Sequence, residues 1–307
     1  MNHPSEVRVR VPASSANLGP GFDTLALALG LYLRCTLRPS KRGLKIKVAG
    51  TDIAEIPCDE SNLIYRTFIS ATGESDGSGV ELDIENELPL GRGLGSSAAA
   101  IVAGLALRNE WDGLNCTREQ LIEMATRIEG HPDNVAAAVR GGLVVSCQTE
   151  DGAVVSAKSP LHSGLEVVLV VPECRLSTEE ARAALPEEYS REDAVFNVQR
   201  VALLLGAFRD GRKELFAEAM RDRLHQPYRA RLIPGFEEIL KLSGVPGLLG
   251  VALSGAGPSV VAFCEGGDGA RTGAIGEEIA GCFRKHGIGA AARTLSVDDD
   301  GLVVEKV

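Results

Sequence analysis

A short glycine-rich stretch, PLGRGLGSSAAA at residues 89–100, constrains the fold more than any other part of the sequence. Residues 80–88 before it alternate apolar and acidic side chains, which is the period of a half-buried β-strand. The residues after it, SSAAAIVAGLALRNEW, are rich in alanine and leucine and predict a helix. The chain must therefore turn tightly from strand to helix, and Gly91, Gly93 and Gly95 supply the backbone freedom for that turn.

The same loop has the composition of a phosphate-binding site. Glycines let backbone N–H groups approach phosphate oxygens, and a helix N-terminus offers unpaired N–H donors and partial positive charge. The lysine of the Walker pattern G-x-x-x-x-G-K-[ST] is absent, because Ser96 and Ser97 follow Gly95. The charge of a bound polyphosphate would then be met by the helix dipole, a metal ion and Arg92. A plain strand-to-helix connection is the alternative that this stretch alone leaves open.

The composition argues against several classes of protein. The 307 residues carry a formal net charge of −10, whereas a general binder of nucleic acid or anionic membrane needs a basic face, so we predict neither partner. We also expect no signal peptide and no membrane span, because no apolar run is long enough. The seven cysteines are scattered without a C-x-x-C pair, which indicates reduced thiols in a cytoplasmic protein.

Apolar periodicity predicts that both halves of the chain mix strands with helices. Strands are predicted at 6–13, 31–39, 43–50, 143–148, 165–173, 247–255, 259–265 and 292–297, and helices at 61–72, 117–130, 177–185, 192–208, 213–222 and 270–286. The polar stretch between 149 and 164 predicts turns and separates the two halves. We therefore predict an α+β fold with domains at 1–160 and 161–307.

Three further stretches combine glycine or proline with short polar side chains. They are PASSANLGPGFDTLALAL at 12–29, EGHPDNVAAAV at 129–139 and LSGAGPSVVAF at 253–263. Each has a simple structural explanation, because Asn17 suits a turn and Asp133 or Asn134 suits a helix N-cap. A functional explanation must account for these stretches together with the loop at 89–100.

Six stretches, in order along the chain, resemble the GHMP kinase family, and within it the homoserine kinase group. They are PASSANLGPGFD, PLGRGLGSSAA, EGHPDNVA, STEEARAALP, HQPYRARLIPGF and LSGAGPS. The resemblance implies a nucleotide-binding N-terminal domain similar to domain 2 of ribosomal protein S5 and a ferredoxin-like C-terminal domain on the substrate side. It also implies transfer of phosphate from ATP, with Mg²⁺, to the hydroxyl of L-homoserine, giving O-phospho-L-homoserine for threonine synthesis.

Other functions and assemblies stay open at this point. A related kinase acting on mevalonate, a sugar or a shikimate-like alcohol is one alternative, and a non-catalytic ligand sensor on the same fold is another. A homodimer is common in the family, but the sequence does not fix the oligomeric state or any feedback inhibition.

The resemblance also implies roles for residues on the nucleotide side. Ser96 or Ser97 would offer a hydroxyl to Mg²⁺, and Glu129 would offer a carboxylate. Many relatives have a longer insertion between this glutamate and the H-x-D-N segment, whereas here only three residues separate Glu129 from Asp133. Glu123 is therefore the alternative metal ligand. Asn62 is similar to the family's contact to the nucleotide base, with helix capping as the alternative. The residues predicted to contact ATP are Asn62, Pro89, Leu90, Gly91, Arg92, Gly93, Leu94, Gly95, Ser96, Ser97, Ala98, Ala99, Gly255 and Gly257.

On the substrate side, the implied ligand is a zwitterion with a terminal hydroxyl. Asp23 and Asn17 suit its ammonium, and Arg182 and Arg229 suit its carboxylate, although each arginine alone could be a solvated surface charge. The predicted substrate contacts are Asn17, Asp23, His131, Asn134, Thr178, Arg182 and Arg229, and the predicted catalytic residues are Asp133, Asn134 and Arg182. Asp133 would act either as a general base or as a group that orients the substrate.

Overall fold

The computed structural model describes residues 3–41, 43–71 and 79–306 of the chain. In this part the strands are β1 (Val7–Asn17), β2 (Gly21–Ser40), β3 (Lys45–Gly50), β4 (Gly79–Asn86), β5 (Leu143–Gln148), β6 (Val154–Ser159), β7 (Leu165–Pro172), β8 (Leu248–Leu253), β9 (Val260–Glu265), β10 (Ala290–Leu295) and β11 (Val303–Lys306). The helices are α1 (Leu63–Ser70), α2 (Ser96–Asp112), α3 (Arg118–Glu129), α4 (Asp133–Arg140), α5 (Thr178–Ala183), α6 (Arg191–Asp210), α7 (Phe216–Ala219), α8 (Gln226–Arg229), α9 (Phe236–Ile239) and α10 (Gly269–Lys285).

Helices cover one face of the first sheet. Its strand order is β11-β1-β2-β4-β3, and β5 pairs with the first part of β2 and with β6. Along β1, Val7, Val9 and Val11 are buried while Arg8 is exposed, the alternation expected of a sheet with one solvated face. Helices α2 and α4 cover the buried face, and the small side chains of α2 allow close packing there.

The second sheet has the order β10-β7-β9-β8, with every pairing antiparallel. Read along the chain, a helical region follows β7, and β8, β9, α10 and β10 come next, which is the β-α-β-β-α-β order of a ferredoxin-like fold. One face packs on α10. The other joins the apolar core of the first sheet through Leu169 and Phe263, together with Phe208 of α6. The shared core holds the two sheets together, which lets loops from both build one cavity.

Several elements differ from the sequence-based predictions. The strands predicted at 6–13 and 31–39 both continue into the stretch at 12–29, because small residues such as Ser14 and Ala16 are buried beneath the helices. The stretch at 149–164, predicted as turns, contains β6. The helix predicted at 61–72 runs from Leu63 to Ser70, and residue 72 lies outside the described residues.

The helix predicted at 213–222 is wrong in its second half. It breaks after α7 because the buried carboxylate of Asp222 accepts hydrogen bonds from the backbone N–H groups of Leu224, His225 and Gln226, which fixes a loop instead. At the end of the chain, β11 returns to pair with β1 in the first sheet. The division into domains at 1–160 and 161–307 stays a prediction. β11 belongs to the second half of the sequence but pairs in the sheet formed by the first half.

Within the described residues, no helix combines the length and apolar character needed to cross a membrane.

Candidate active site

A cavity of about 220 Å³ lies where loops of the two sheets meet. Most of the residues predicted for ATP or substrate line it, although they come from six separate stretches of sequence. They are Asn17, Asp23, Gly91, Arg92, Gly93, Leu94, Gly95, Ser96, Ser97, Glu129, His131, Asp133, Asn134, Thr178, Arg182, Arg229 and Gly255. The fold therefore gathers most of the predicted nucleotide and substrate residues into one place.

The glycine-rich loop between β4 and α2 has the backbone geometry of an anion cradle. Gly91, Gly93 and Gly95 have φ angles of 65°, 73° and 66°, in the left-handed region that favours glycine. Gly95 is the N-cap of α2 and no side chain caps the helix, so its first N–H groups remain available to a ligand. The turn after β8 supports the loop from the other sheet, because Ser254 Oγ donates to the carbonyl oxygen of Gly93 at 2.7 Å.

Beside this helix start lies a group of acidic and hydroxyl side chains. Ser97 Oγ donates to Glu129 Oε2 at 2.7 Å. Burial raises the pKa of Glu129 above its ordinary value, although the Ser97 hydrogen bond and the nearby His131 oppose the shift. A bound cation would favour the charged carboxylate instead. Ser97 and Glu129 are therefore placed to act together on a ligand bound at the glycine-rich loop.

Asp133 and His131 form a hydrogen-bonded pair at the start of α4. His131 Nδ1 donates to Asp133 Oδ1 at 2.7 Å, and the backbone N–H of Asn134 donates to the same oxygen at 2.6 Å. Burial lowers the pKa of His131, but the hydrogen bond and charge of Asp133 and the charge of Glu129 outweigh it, and the net shift is upward. The N-cap of α4 is Pro132, so capping by Asp133 or Asn134 does not explain this motif.

Arg182 on α5 and Arg229 on α8 both line the cavity, but their surroundings differ. Arg182 Nη1 and Nη2 donate to Asp23 Oδ2 and Oδ1 at 3.0 and 2.8 Å, a bidentate ion pair. Arg229 is 1% exposed and donates to the carbonyl oxygens of Ala181 and Gly255 and to the ring nitrogen Nδ1 of His225. In the described part of the chain, no carboxylate forms an ion pair with Arg229. Burial lowers its pKa to about 10.

Asn17 holds the turn between β1 and β2 in an uncommon conformation. Its φ is 72°, and Asp23 also has a positive φ of 52°. Asn17 Nδ2 donates to the carbonyl oxygen of Gly255 at 2.7 Å, and its Oδ1 accepts from the backbone N–H of Asp23 at 3.0 Å. The turn explanation for Asn17 therefore holds, and its contact with a substrate ammonium stays a prediction. Residues in such conformations cluster at ligand sites, where the surrounding structure enforces them.

A second cavity of about 250 Å³, mainly apolar, adjoins the first and shares Ser96 and Ser97 with it. Asn62 lines it but is 1% exposed, and its Oδ1 caps α1 by accepting from the N–H groups of Ile64 and Tyr65. Its Nδ2 donates to the carbonyl oxygen of Pro57 at 2.8 Å. Asn62 therefore caps α1, as the alternative explanation predicts. The second N–H of its side-chain amide remains for a contact with a nucleotide base.

Four residues predicted to contact ATP line neither cavity: Pro89, Ala98, Ala99 and Gly257. Ala98 and Ala99 are buried within α2, and a Cβ added at Gly257 would meet the side chains of Ile233 and Leu253, so the contact of these residues with ATP stays a prediction. Sequence analysis missed two supports of the site. Ser14 Oγ donates to Asn134 Oδ1 at 2.8 Å, and His225 holds Arg229. The only sequence signal for His225 is its place in HQPYRARLIPGF.

The donor groups of the cavity fit a magnesium ion that is held largely by its nucleotide. In the described ranges, no three His, Cys, Asp or Glu side chains are grouped so as to hold a metal by themselves. Ser97 and Glu129 supply hard oxygen donors, and Mg²⁺ typically takes one or two carboxylates beside phosphates and water. Glu123, the alternative metal ligand, lines neither cavity.

Comparison with known proteins decides the family. The family descriptions "GHMP kinases N terminal domain" and "GHMP kinases C terminal" match residues 62–142 and 204–275. Homoserine kinase from Solibacter usitatus is 49% identical over 84% of this chain and 85% of its own, and that from Trichormus variabilis is 40% identical over 97% and 98%. The chain belongs to the homoserine kinases of the GHMP kinase family.

A solved structure extends the likeness to the whole fold. The crystal structure of homoserine kinase from Cytophaga hutchinsonii covers 99% of both chains with a TM-score of 0.84 at 29% identity. The predicted α+β architecture of two GHMP domains is therefore confirmed. The predicted class of enzyme, a kinase, is confirmed with it.

Proposed function

We propose that this protein is an ATP-dependent homoserine kinase, which phosphorylates the hydroxyl of L-homoserine to give O-phospho-L-homoserine in threonine biosynthesis. One observation carries the proposal: the glycine-rich loop opens into the same cavity as buried Arg229, which has no carboxylate partner among the described residues. An uncharged sugar would leave Arg229 unpaired, whereas the carboxylate of an amino acid satisfies it. The family membership supports the same assignment.

The nucleotide would be bound by backbone and helix rather than by a lysine. We propose that the triphosphate lies on the N–H groups of residues 91–97 at the start of α2, with the base in the adjoining apolar cavity. Ser97 and Glu129 would hold Mg²⁺, and Ser96 is the alternative hydroxyl. The metal would neutralise charge on the transferring phosphate.

The acceptor would lie on the opposite side of the cavity. We propose that Arg182 and Arg229 bind its carboxylate, Asp23 and Asn17 its ammonium, and that Thr178, His131 and Asn134 complete the contacts. Phosphoryl transfer requires mainly positioning and charge stabilisation, which leaves little covalent chemistry for the protein. Rigid placement of the terminal hydroxyl is then the main task of α4.

We predict that Asp133 orients the substrate and is not a general base. It already accepts hydrogen bonds from His131 and from the backbone of Asn134, which fix its position. Asp133→Asn should therefore lower kcat by about tenfold at most, the value of an orienting hydrogen bond, and leave the pH profile of kcat unchanged. A loss of more than about a thousandfold in folded protein would make Asp133 the base, because general base catalysis contributes roughly 10²–10⁴-fold.

An ADP-release assay across several acceptors tests the proposed function. We expect turnover with L-homoserine well above the acceptor-free background and above that with mevalonate, galactose or shikimate. Turnover with one of those alcohols and none with homoserine would show that the substrate is wrong. Binding of ATP and homoserine without turnover of any acceptor would indicate a ligand sensor.

All seven cysteines are free thiols, which agrees with a cytoplasmic protein, but the compartment stays a prediction. The homodimer also stays a prediction, and the family resemblance is its support.

A further inference from the structure

Helix α6 carries apolar side chains on two opposite faces. One face is buried in the core that the two sheets share, where Leu204, Ala207 and Phe208 are fully enclosed. The opposite face points to solvent and carries an apolar line that we call the outer stripe: Val195, Val198, Ala202 and Leu205. Val198 is 69% exposed and Val195 is 49% exposed. A helix that is apolar on both faces is normally covered on both, so the outer stripe indicates a docking surface.

The outer stripe has the spacing of a coiled-coil seam. Its four residues follow one another at intervals of three, four and three positions, which is the alternation of a heptad repeat. Arg191 lies four positions before the stripe and Arg209 four positions after it, so the same line ends in a charge on each side. The helix has 20 residues and is therefore about 30 Å long. This length and spacing suit packing against a second helix with the same seam.

We propose that the outer stripe pairs with the outer stripe of a second copy of this chain, in antiparallel orientation about a two-fold axis. The intervals of three, four and three are the same when counted from either end of the stripe. An antiparallel pair therefore places Val198 against the partner's Ala202 and Val195 against the partner's Leu205. The two-fold axis forms each of these contacts twice, which makes the surface complementary to itself.

The charges at the two ends of α6 favour the antiparallel orientation. Arg191 and Glu192 lie at its start, Arg209 and Asp210 lie at its end, and all four residues are exposed. An antiparallel pair brings the start of one helix to the end of the other, so Glu192 meets the partner's Arg209 and Arg191 meets the partner's Asp210. A parallel pair would instead place each charge beside its own copy, which is unfavourable.

A polar hollow beside the outer stripe extends the surface that a second copy would cover. It has a volume of about 730 Å³ and adjoins Val195 and Phe196, and its charged lining residues are Arg191, Glu192, Arg200, Arg221 and Arg223. Stable interfaces bury roughly 800 Å² on each partner, and they combine an apolar centre with a polar rim in which arginine is common. The outer stripe and the hollow supply these two parts side by side.

Sedimentation equilibrium of the purified full chain tests the pairing. We expect the wild-type protein to be a dimer at micromolar concentrations, because interfaces of standard size reach micromolar affinity or better. Val198→Arg should weaken the dimer by at least about 100-fold, since the two-fold axis buries the added charge twice. Val155→Arg adds the same charge at a valine that is 58% exposed on β6, and this control should leave the dimer unchanged.

A mixture of two variants tests the antiparallel orientation. Ala202→Glu alone should also be a monomer, because it too buries a charge twice. Mixing it with Val198→Arg in equal amounts should restore a dimer, since position 198 of one chain lies opposite position 202 of the other. The added arginine then meets the added glutamate, and the second copy of this contact keeps the wild-type residues. A restored dimer also shows that both variants are folded.

Each result supports or overturns the proposal. A wild-type protein that is a monomer at micromolar concentrations would overturn it, and so would a dimer that Val198→Arg leaves intact. A mixture that stays monomeric, although thermal unfolding shows both variants to be folded, would overturn the antiparallel pairing. Helix α6 lines neither cavity of the candidate active site, so these results do not depend on the proposed function.

Discussion

Replacing Arg229 with alanine is expected to raise the KM for L-homoserine by about 30-fold or more and to leave the KM for ATP nearly unchanged. Losing a desolvated, charge-assisted contact costs about 2–5 kcal/mol, and 2 kcal/mol corresponds to roughly 30-fold in affinity. Arg229 should matter more than Arg182, because it is buried and pairs with no carboxylate in the part of the chain that the structure describes, while Arg182 is half-exposed and already paired. Steady-state kinetics with each substrate varied in turn measures both constants.

Two further variants separate binding from folding in this experiment. Arg229→Lys keeps the charge but loses the bidentate fork, and it should fall between wild type and alanine. Arg231→Ala removes the same charge from an exposed position two residues along and should leave both constants unchanged. Thermal unfolding confirms that each variant is folded. An equal rise in both KM values, or no rise in either, would contradict the role of Arg229.

The local backbone around the candidate site was predictable because short motifs fix it. Gly91, Gly93 and Gly95 were predicted to make a tight strand-to-helix turn, and all three have positive φ angles. The small residues of SSAAA were predicted to begin a helix, and α2 begins at Ser96. Such features depend on a few neighbouring residues, so the sequence contains the information directly.

Contacts between distant residues were not predictable in the same way. Asp23 and Arg182 are 159 residues apart, and each was assigned to a different end of the substrate, without any sign that they pair. The last strand, β11, is a short segment whose place beside β1 depends on the whole first sheet. Asn62 is a related case, because two explanations fitted one residue and only the observed hydrogen bonds distinguish them.

The close approach of the two glycine-rich turns leads to the second large effect. A Cβ atom at Gly93 would lie 2.0 Å from the carbonyl oxygen of Ser254, which is backbone and cannot rotate away. Gly91→Ala adds the same methyl group in open space, at a φ of 65° against 73° for Gly93. The two substitutions therefore share the cost of a left-handed alanine, about 1–2 kcal/mol, and differ in the clash.

Gly93→Ala is expected to cost about 2–5 kcal/mol, since overpacking adds roughly 1–3 kcal/mol to the backbone strain. Because the contact between Ser254 and Gly93 joins the second sheet to the glycine-rich loop that we propose binds the triphosphate, much of this cost should appear as a raised KM for ATP as the loop moves away from its cavity. Gly91→Ala should show a smaller loss in both the free energy of unfolding and ATP binding. Denaturant unfolding and ATP kinetics on the two variants measure these effects, and equal losses would mean that the contact between the turns does not position the loop.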